Sequence, residues 1–428
     1  MNKTIIFGHS ISWNLLLLSL IVACIPFPIK IGNASMIIGV LFVVYQLIVK
    51  QIKLDRKKIW SFTIIFPILF FALILISALL SQDIGAGLKQ VEKNLLLILM
   101  PFILIGIYPP TKLDREFVMR VFSFASIISF FILFIVAIFR IIGGANFDVL
   151  FFHELGAFFD LHPVYIAINL CIAIYFLSFY YKKQVPMSRG ALIFLILIIS
   201  FGLFGLFLCA SKVVILVFIP LYFIKLLQGA LKKNTLSIIL LLILLSNVFV
   251  FKSSIVSDRF SDGLTFDIET FQPTSEIALS KVFSNEEKEK ISDLELRYLM
   301  LKIGTFHLQN DGKLLFGYGI GDVQEYIDYY YMQYGLAPGW FEGYNLHNQY
   351  LQYLVTYGAL GFTLFIIYLI YSLYFAIKNK ESLHLFFLIL ILTIFLFECV
   401  LSRNKGIVIF IFMNTFFMMK YENSFIRN

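Results

Sequence analysis

His347 opens the stretch His347-Asn348-Gln349-Tyr350-Leu351, where a polar segment gives way to an apolar helix. An imidazole changes charge near neutral pH, so a histidine at a membrane face can take a proton from an attacking hydroxyl. Asn345, Asn348 and Tyr350 supply polar neighbours. The plainer alternative is an interfacial histidine that only caps a helix. Because the first backbone N–H groups of a helix lack partners within it, the junction is also suited to an anion.

Cations accompany this histidine. Arg297 lies upstream on an amphipathic stretch, beside a stripe of Ile291, Leu294, Tyr298, Leu301 and Leu308. A guanidinium so placed can grip phosphate oxygens with two parallel hydrogen bonds, although a surface arginine in an acidic segment is the commoner case. Lys212 falls in the short connection Ala210-Ser211-Lys212, with an apolar run on each side and no acid nearby in sequence. It is either a binding cation or a lysine that snorkels to the surface. Arg403 with Glu398 marks another short connection, as a structural ion pair or as part of one cationic floor, and Lys89 and Lys93 are each either paired with an acid or part of that floor. Together, cations on separate connections of one face point to an anionic lipid headgroup more strongly than any one of them.

Other motifs have plainer readings. Gly317-Tyr318-Gly319-Ile320-Gly321 follows no strand and reads as a turn before a helix, not as a nucleotide loop. Asp267-Ile268-Glu269 and Asp293-Leu294-Glu295 are acid pairs that could hold a divalent ion, but each sits in a solvated acidic segment, and no metal is assigned. His153 and His162 are candidates to support the site, while His162-Pro163 also marks a helix start. Cys24, Cys171, Cys209 and Cys399 all lie in apolar runs, without the spacing of a metal site or a disulfide framework.

The elements that must position these residues are membrane helices. With 60% hydrophobic and 14% charged residues in a chain of 428, one soluble core cannot hide the apolar surface. The fold class expected is an all-α polytopic membrane protein. Runs of spanning length fall near 11–29, 31–49, 60–80, 94–108, 117–139, 163–181, 191–209, 213–230, 235–251, 348–377, 384–402 and 406–419, about twelve transmembrane helices. The first run follows Lys3 but leads at once into a second span, so it reads as a retained helix and not a signal peptide.

Basic residues collect in cytoplasmic connections, and placing the N-terminus inside puts more than half of the 34 lysines and arginines there. Both termini are then cytoplasmic. Residues 1–251 form nine spans, 252–347 a large helical extracytoplasmic loop between the ninth and tenth, and 348–428 three spans with a cytoplasmic tail. The loop is acidic while the rest of the chain is basic, so the formal charge of +8 reflects topology and not affinity for nucleic acid.

The run Asn345-Leu346-His347-Asn348-Gln349-Tyr350-Leu351, followed by Gly358 and Gly361, resembles the signature of the O-antigen ligase and O-antigen polymerase superfamily of bacterial envelope glycosyltransferases. Arg297 with Leu314-Leu315-Phe316-Gly317-Tyr318-Gly319 resembles that family's arginine-bearing helix and the turn after it, with Lys313 and Leu314 where the family often has Asn-Pro. The resemblance implies a GT-C-like architecture and a glycan donor carried on undecaprenyl diphosphate. It implies transfer at the periplasmic face of the bacterial inner membrane without metal, nucleotide or other cofactor. His347 matches the family's catalytic histidine and Arg297 its loop arginine. Lys212 stands where the family usually has arginine, which keeps the charge and loses the bidentate fork. Arg259 and Arg403 match further basic positions and, with Lys212, Asn345 and Asn348, complete the expected diphosphate-binding set.

With no ATP outside the membrane, the energy for bond formation travels with the donor as a lipid diphosphate, and an inverting single displacement is expected. Ligation to lipid A-core is the favoured reaction, because one large late loop fits that branch. Polysaccharide polymerisation and protein glycosylation by the same superfamily are the alternatives, separated only by acceptor. A flippase for lipid-linked sugars, from another class, needs ionisable groups along a path through the bilayer. Glu398 is the one acid well inside an apolar run, and it lies near an end.

Overall fold

The computed structural model describes residues 4–6, 9–52, 59–109, 111–181, 188–230, 268 and 270–425. Apart from an antiparallel pairing of Thr4–Ile6 with His9–Ile11, the regular elements among the described residues are helices. Helices α1 (Trp13–Cys24), α2 (Ile29–Ile48), α3 (Phe62–Leu80), α4 (Ile84–Asn94), α5 (Leu96–Ile107), α6 (Lys112–Ile142), α7 (Pro163–Phe179), α8 (Arg189–Leu208) and α9 (Lys212–Lys225) precede a smaller unit, the cap. The cap holds α10 (Asn285–Lys290), α11 (Asp293–Asn310) and α12 (Val323–Gln333). The chain then returns through α13 (Gln349–Lys378), α14 (Ser382–Ile394) and α15 (Asn404–Phe425).

Among the described residues, six helices are long and apolar enough to cross a membrane. Phe152–Phe159 with Pro163–Phe179, bent by 87°, makes a seventh if the pair is one span. The protein is a multi-pass membrane protein. Among the described residues this is fewer than the expected twelve, and part of the difference is visible in the chain. Runs such as 384–402 include apolar residues, Phe395, Leu396 and Phe397, that leave the helix and form a turn, so α14 is only 13 residues long. Trp13–Cys24 is likewise short. The run at 235–251 lies outside the described residues, as do 252–267.

Local sequence sets the ends of these helices. Ser12, Asp83, Thr111 and Ser188 accept hydrogen bonds from N–H groups of the following first turns. Ser292 and Glu295 form a capping box at α11, where an amphipathic helix was expected. Gly39 faces Ile21 and Ile103, and Gly106 faces Val43, too closely for a Cβ at either position, so α1, α2 and α5 pack through small residues.

Two cores divide the molecule. One joins the membrane helices, and the other joins α11, α12 and Phe271 and Phe283 of the cap with Leu346, Leu351 and Val355. The first turns of α13 therefore belong to both. At Gly358 the helix breaks, with φ 65 and ψ −172. The freed groups are paired by the Gly-rich turn of the cap: Tyr318 N–H donates to the Val355 carbonyl at 2.9 Å and Gly319 N–H to that of Thr356 at 3.0 Å. In return, Ala359 N–H donates to the Leu314 carbonyl at 2.8 Å. A Cβ at Gly358 would stand 2.3 Å from the Leu315 carbonyl, so backbone approaches backbone only because this residue is glycine.

The same turn is fastened to the corner between α3 and α4. Ser77 Oγ accepts from Ile320 N–H and Ser81 Oγ from Gly321 N–H, each at 3.0 Å. The Asp322 carboxylate accepts from Gln82 N–H and Asp83 N–H, each at 2.8 Å. The run 317–321 is thus a turn before a helix, as expected. Its further role, splinting a broken membrane helix to a neighbour, is not visible in its composition.

Candidate functional site

The start of α13 is locked to the turn 395–403. Gln349 N–H donates to the Phe395 carbonyl at 2.7 Å, and the buried Gln349 side chain accepts from Leu401 N–H at 2.6 Å. Tyr350 Oη donates to the Leu392 carbonyl at 2.9 Å, and Gln352 accepts from Leu346 N–H at 3.1 Å. Asn348 is the N-cap, its amide oxygen accepting from Tyr350 and Leu351 N–H at 3.0 Å each. Asn345 accepts from His347 N–H at 3.0 Å. The helix start that the sequence offers to an anion is therefore capped from within. The amide oxygens of Asn345 and Asn348 hold backbone in place.

Between these caps His347 takes φ 45, a left-handed conformation unusual for a residue with a Cβ. Such strain persists only where surrounding bonds over-determine it, and it is concentrated at functional sites. The caps on either side supply that determination.

His347 faces Glu398 in the turn it is locked to, with Nδ1 3.7 Å from Oε2. The other carboxylate oxygen, Oε1, lies 3.8 Å from Arg297 Nη2. Arg297 also donates through Nη1 to the Asp293 carbonyl at 2.7 Å and through Nε to the Phe397 carbonyl at 3.3 Å. Asp293 Oδ2 in turn lies 3.6 Å from Lys212 Nζ at the start of α9. Lys212, Asp293, Arg297, Glu398 and His347 thus form one chain of contacts, drawn from four separate parts of the fold, with the step from Asp293 to Arg297 running through the Asp293 carbonyl. The side chains of Arg297, Glu398 and His347 are 25%, 26% and 27% exposed, so a ligand can reach them.

Burial alone would push the Glu398 carboxyl up, but the contact with His347 and the charges of His347, His162 and Arg297 outweigh it and hold it below the usual carboxylate range. Glu398 is thus an anion at neutral pH. His162, the N-cap of α7, accepts from Val164 N–H through Nδ1 at 3.3 Å. Burial lowers its pKa to about 4; Glu398 opposes this, and Arg403, His153 and His347 add to it.

Of the residues singled out in the sequence, His347 and Arg297 meet at Glu398, Lys212 joins them through Asp293, and Asn345 and Asn348 support the loop. Arg403 is exposed, and no ion pair joins it to Glu398; its charge instead acts on His162. The pairing considered for Arg403 and Glu398 goes to Arg297 and His347. Arg259 and the pair Asp267 and Glu269 lie outside the described residues. Lys212 has an acid partner after all, because folding carries Asp293 to it from the cap. Lys89 and Lys93 lie on α4. The buried Glu295 accepts from Ser292 N–H at 2.8 Å, and no three His, Cys, Asp or Glu side chains among the described residues are grouped to hold a metal ion.

The signal for Glu398 in the sequence is an acid in an apolar run, which inside a membrane protein marks a functional or paired group. No protein-family model matches the chain, and no curated protein matches it.

Proposed function

We propose that this chain is a glycosyltransferase of the O-antigen ligase type, moving a glycan from undecaprenyl diphosphate to lipid A-core. In this reading the cap faces the periplasm, and the membrane is the bacterial inner membrane, with both termini cytoplasmic. The observation that carries it is the position of His347, with Nδ1 turned to the Glu398 carboxylate and Arg297 on the far side of that carboxylate. A base, an acid partner and cations at one membrane face suit transfer from a lipid diphosphate.

With Nδ1 facing Glu398, Nε2 is the nitrogen left to remove the proton of the acceptor hydroxyl. The hydroxyl oxygen then attacks the anomeric carbon, the bond from that carbon to the phosphate oxygen breaks, and the diphosphate leaves with the electron pair. The proton ends on His347 as an imidazolium, opposite an ionised Glu398. Arg297 and Lys212 answer the charge that grows on the leaving diphosphate. Attack from the side opposite the leaving group inverts the anomeric centre.

Purified protein supplied with an undecaprenyl-diphosphate glycan and separate lipid A-core, glycan and peptide acceptors tests the reading. Glycan on lipid A-core is the expected product. Product only on the glycan would make the protein a polymerase, and product only on the peptide a protein oligosaccharyltransferase. Movement of donor across a vesicle membrane with no product would make it a flippase. The anomeric linkage before and after transfer reads the stereochemistry, and retention would overturn the single displacement.

A further inference from the structure

We propose that the cap is anchored in lipid by the turn Leu314-Leu315-Phe316, seated among acyl chains at the headgroup boundary of the leaflet on the cap face. The inference stands apart from the proposed chemistry and rests on exposure, hydrogen bonding and depth.

Leu314, Leu315 and Phe316 are 50%, 51% and 70% exposed, three consecutive large apolar side chains at the place where the cap meets a membrane-spanning helix. Such a run in water is unfavourable without an apolar partner. The turn is also not free to swing. The Leu314 and Leu315 carbonyls accept from Ala359 and Leu360 N–H at 2.8 and 3.3 Å, which fixes it against a membrane-spanning helix beside the break at Gly358.

Depth follows from the neighbouring helix. An added Cβ at Gly361 would meet Leu73 of α3 at 2.9 Å, so this part of α13 lies level with Leu73. At ~1.5 Å per residue, Leu73 is roughly 10 Å below Leu80, the last residue of α3. Gly358, one turn nearer the cap and in contact with Leu315 and Phe316, is then about 5 Å below that end, the depth at which apolar groups of an interfacial segment rest. Leu79, Leu80 and Leu360 around it are exposed as well and continue the apolar belt of the spanning helices.

Backbone carbonyls in such a place favour internal partners, and those of Lys313, Leu314 and Leu315 accept from Gly317, Ala359 and Leu360 N–H. Lys313, exposed at the start of the turn, can reach up to lipid phosphates while the three apolar residues point down. The partner that this surface fits is thus the bilayer itself.

Spin labelling tests this. Phe316→Cys carries a nitroxide in full-length protein reconstituted into vesicles of phosphatidylethanolamine and phosphatidylglycerol, with Leu80→Cys as a lipid-facing reference and Glu289→Cys, at an exposed charged position of α10, as a water-facing one. Label taken up by the four native cysteines is measured on the unsubstituted protein and subtracted. Collision with oxygen exceeding collision with a water-soluble nickel chelate at position 316, as at 80 and opposite to 289, is the expected result. Nickel collisions matching those at 289 would overturn the proposal. Protection from both reagents would overturn it too, because a protein surface would then cover the turn. Leu315→Cys repeats the measurement at a less exposed position, so that failure of one variant to fold leaves the question decidable.

Discussion

Glu398 stands opposite His347, with 3.7 Å between Oε2 and Nδ1. At that distance the carboxylate acts on the imidazole through charge more than through a direct hydrogen bond. Its role in the proposed reaction is to stabilise the imidazolium that forms as His347 takes the acceptor proton. Glu398→Gln keeps the shape and removes the charge. A fall in kcat of roughly 10-fold or more is expected, part of what a general base supplies, with donor KM not raised. Steady-state transfer kinetics check it, and an unchanged kcat would leave Glu398 as a structural acid.

Asp293 occupies Lys212 in this structure, at 3.6 Å. A diphosphate bound by Lys212 must compete with it. Asp293→Asn is therefore expected to lower the donor KM a few-fold, in keeping with the ~0.2–1 kcal/mol of a half-exposed pair. Lys212→Gln should raise it. Both effects should shrink at high salt, and movement of KM in the same direction in both variants would remove Lys212 from the donor site.

His162 gives the fold a pH dependence. Its folded pKa, lowered by burial to about 4, lies below the ordinary 6.5, so the unfolded chain takes up a proton that the folded chain refuses. Stability should fall as pH drops from 6.5 to about 4 and level off below. His307, lowered to about 4 by burial against the opposing charge of Asp311, acts the same way. His162→Asn keeps a good N-cap and removes one titration, so its melting temperature should vary less over that window. An unchanged pH profile would mean that His162 is not the titrating group.

Gly358→Ala should be among the most damaging small substitutions. Its φ of 65 is unfavourable for alanine, and the new methyl would lie 2.3 Å from the Leu315 carbonyl and 2.4 Å from Phe316 N. A loss of about 3 kcal/mol or more is expected, from strain and overpacking together. Gly312→Ala, at φ 67 with nothing within 4 Å, should cost only about 1 kcal/mol. Thermal denaturation of the two variants separates the terms, and equal losses would show that contact with the cap turn adds nothing.

What the sequence made legible was the class of the protein and the ends of the site. Apolar runs long enough to span a bilayer identify a multi-pass membrane protein, and His347, Arg297 and Lys212 stand out as polar groups at junctions. Their partners were hidden, because Asp293 and Glu398 reach them only through tertiary folding, and spacing along a chain carries no record of that. The turn 395–403 shows the same limit. Phe395, Leu396 and Phe397 are apolar enough to extend a helix, yet the chain leaves the helix there and gives its carbonyls to Gln349 and Arg297. The start of α13 shows the same limit, since Asn348 caps N–H groups that periodicity can only mark as unpaired.

The most direct test of the proposed chemistry is single-turnover transfer of glycan from undecaprenyl diphosphate to lipid A-core by His347→Ala, with melting temperature and donor binding matched to the unsubstituted protein. A loss of about 10²- to 10⁴-fold in the transfer rate, with donor still bound, is expected if His347 is the general base. Transfer at the unsubstituted rate would contradict that role.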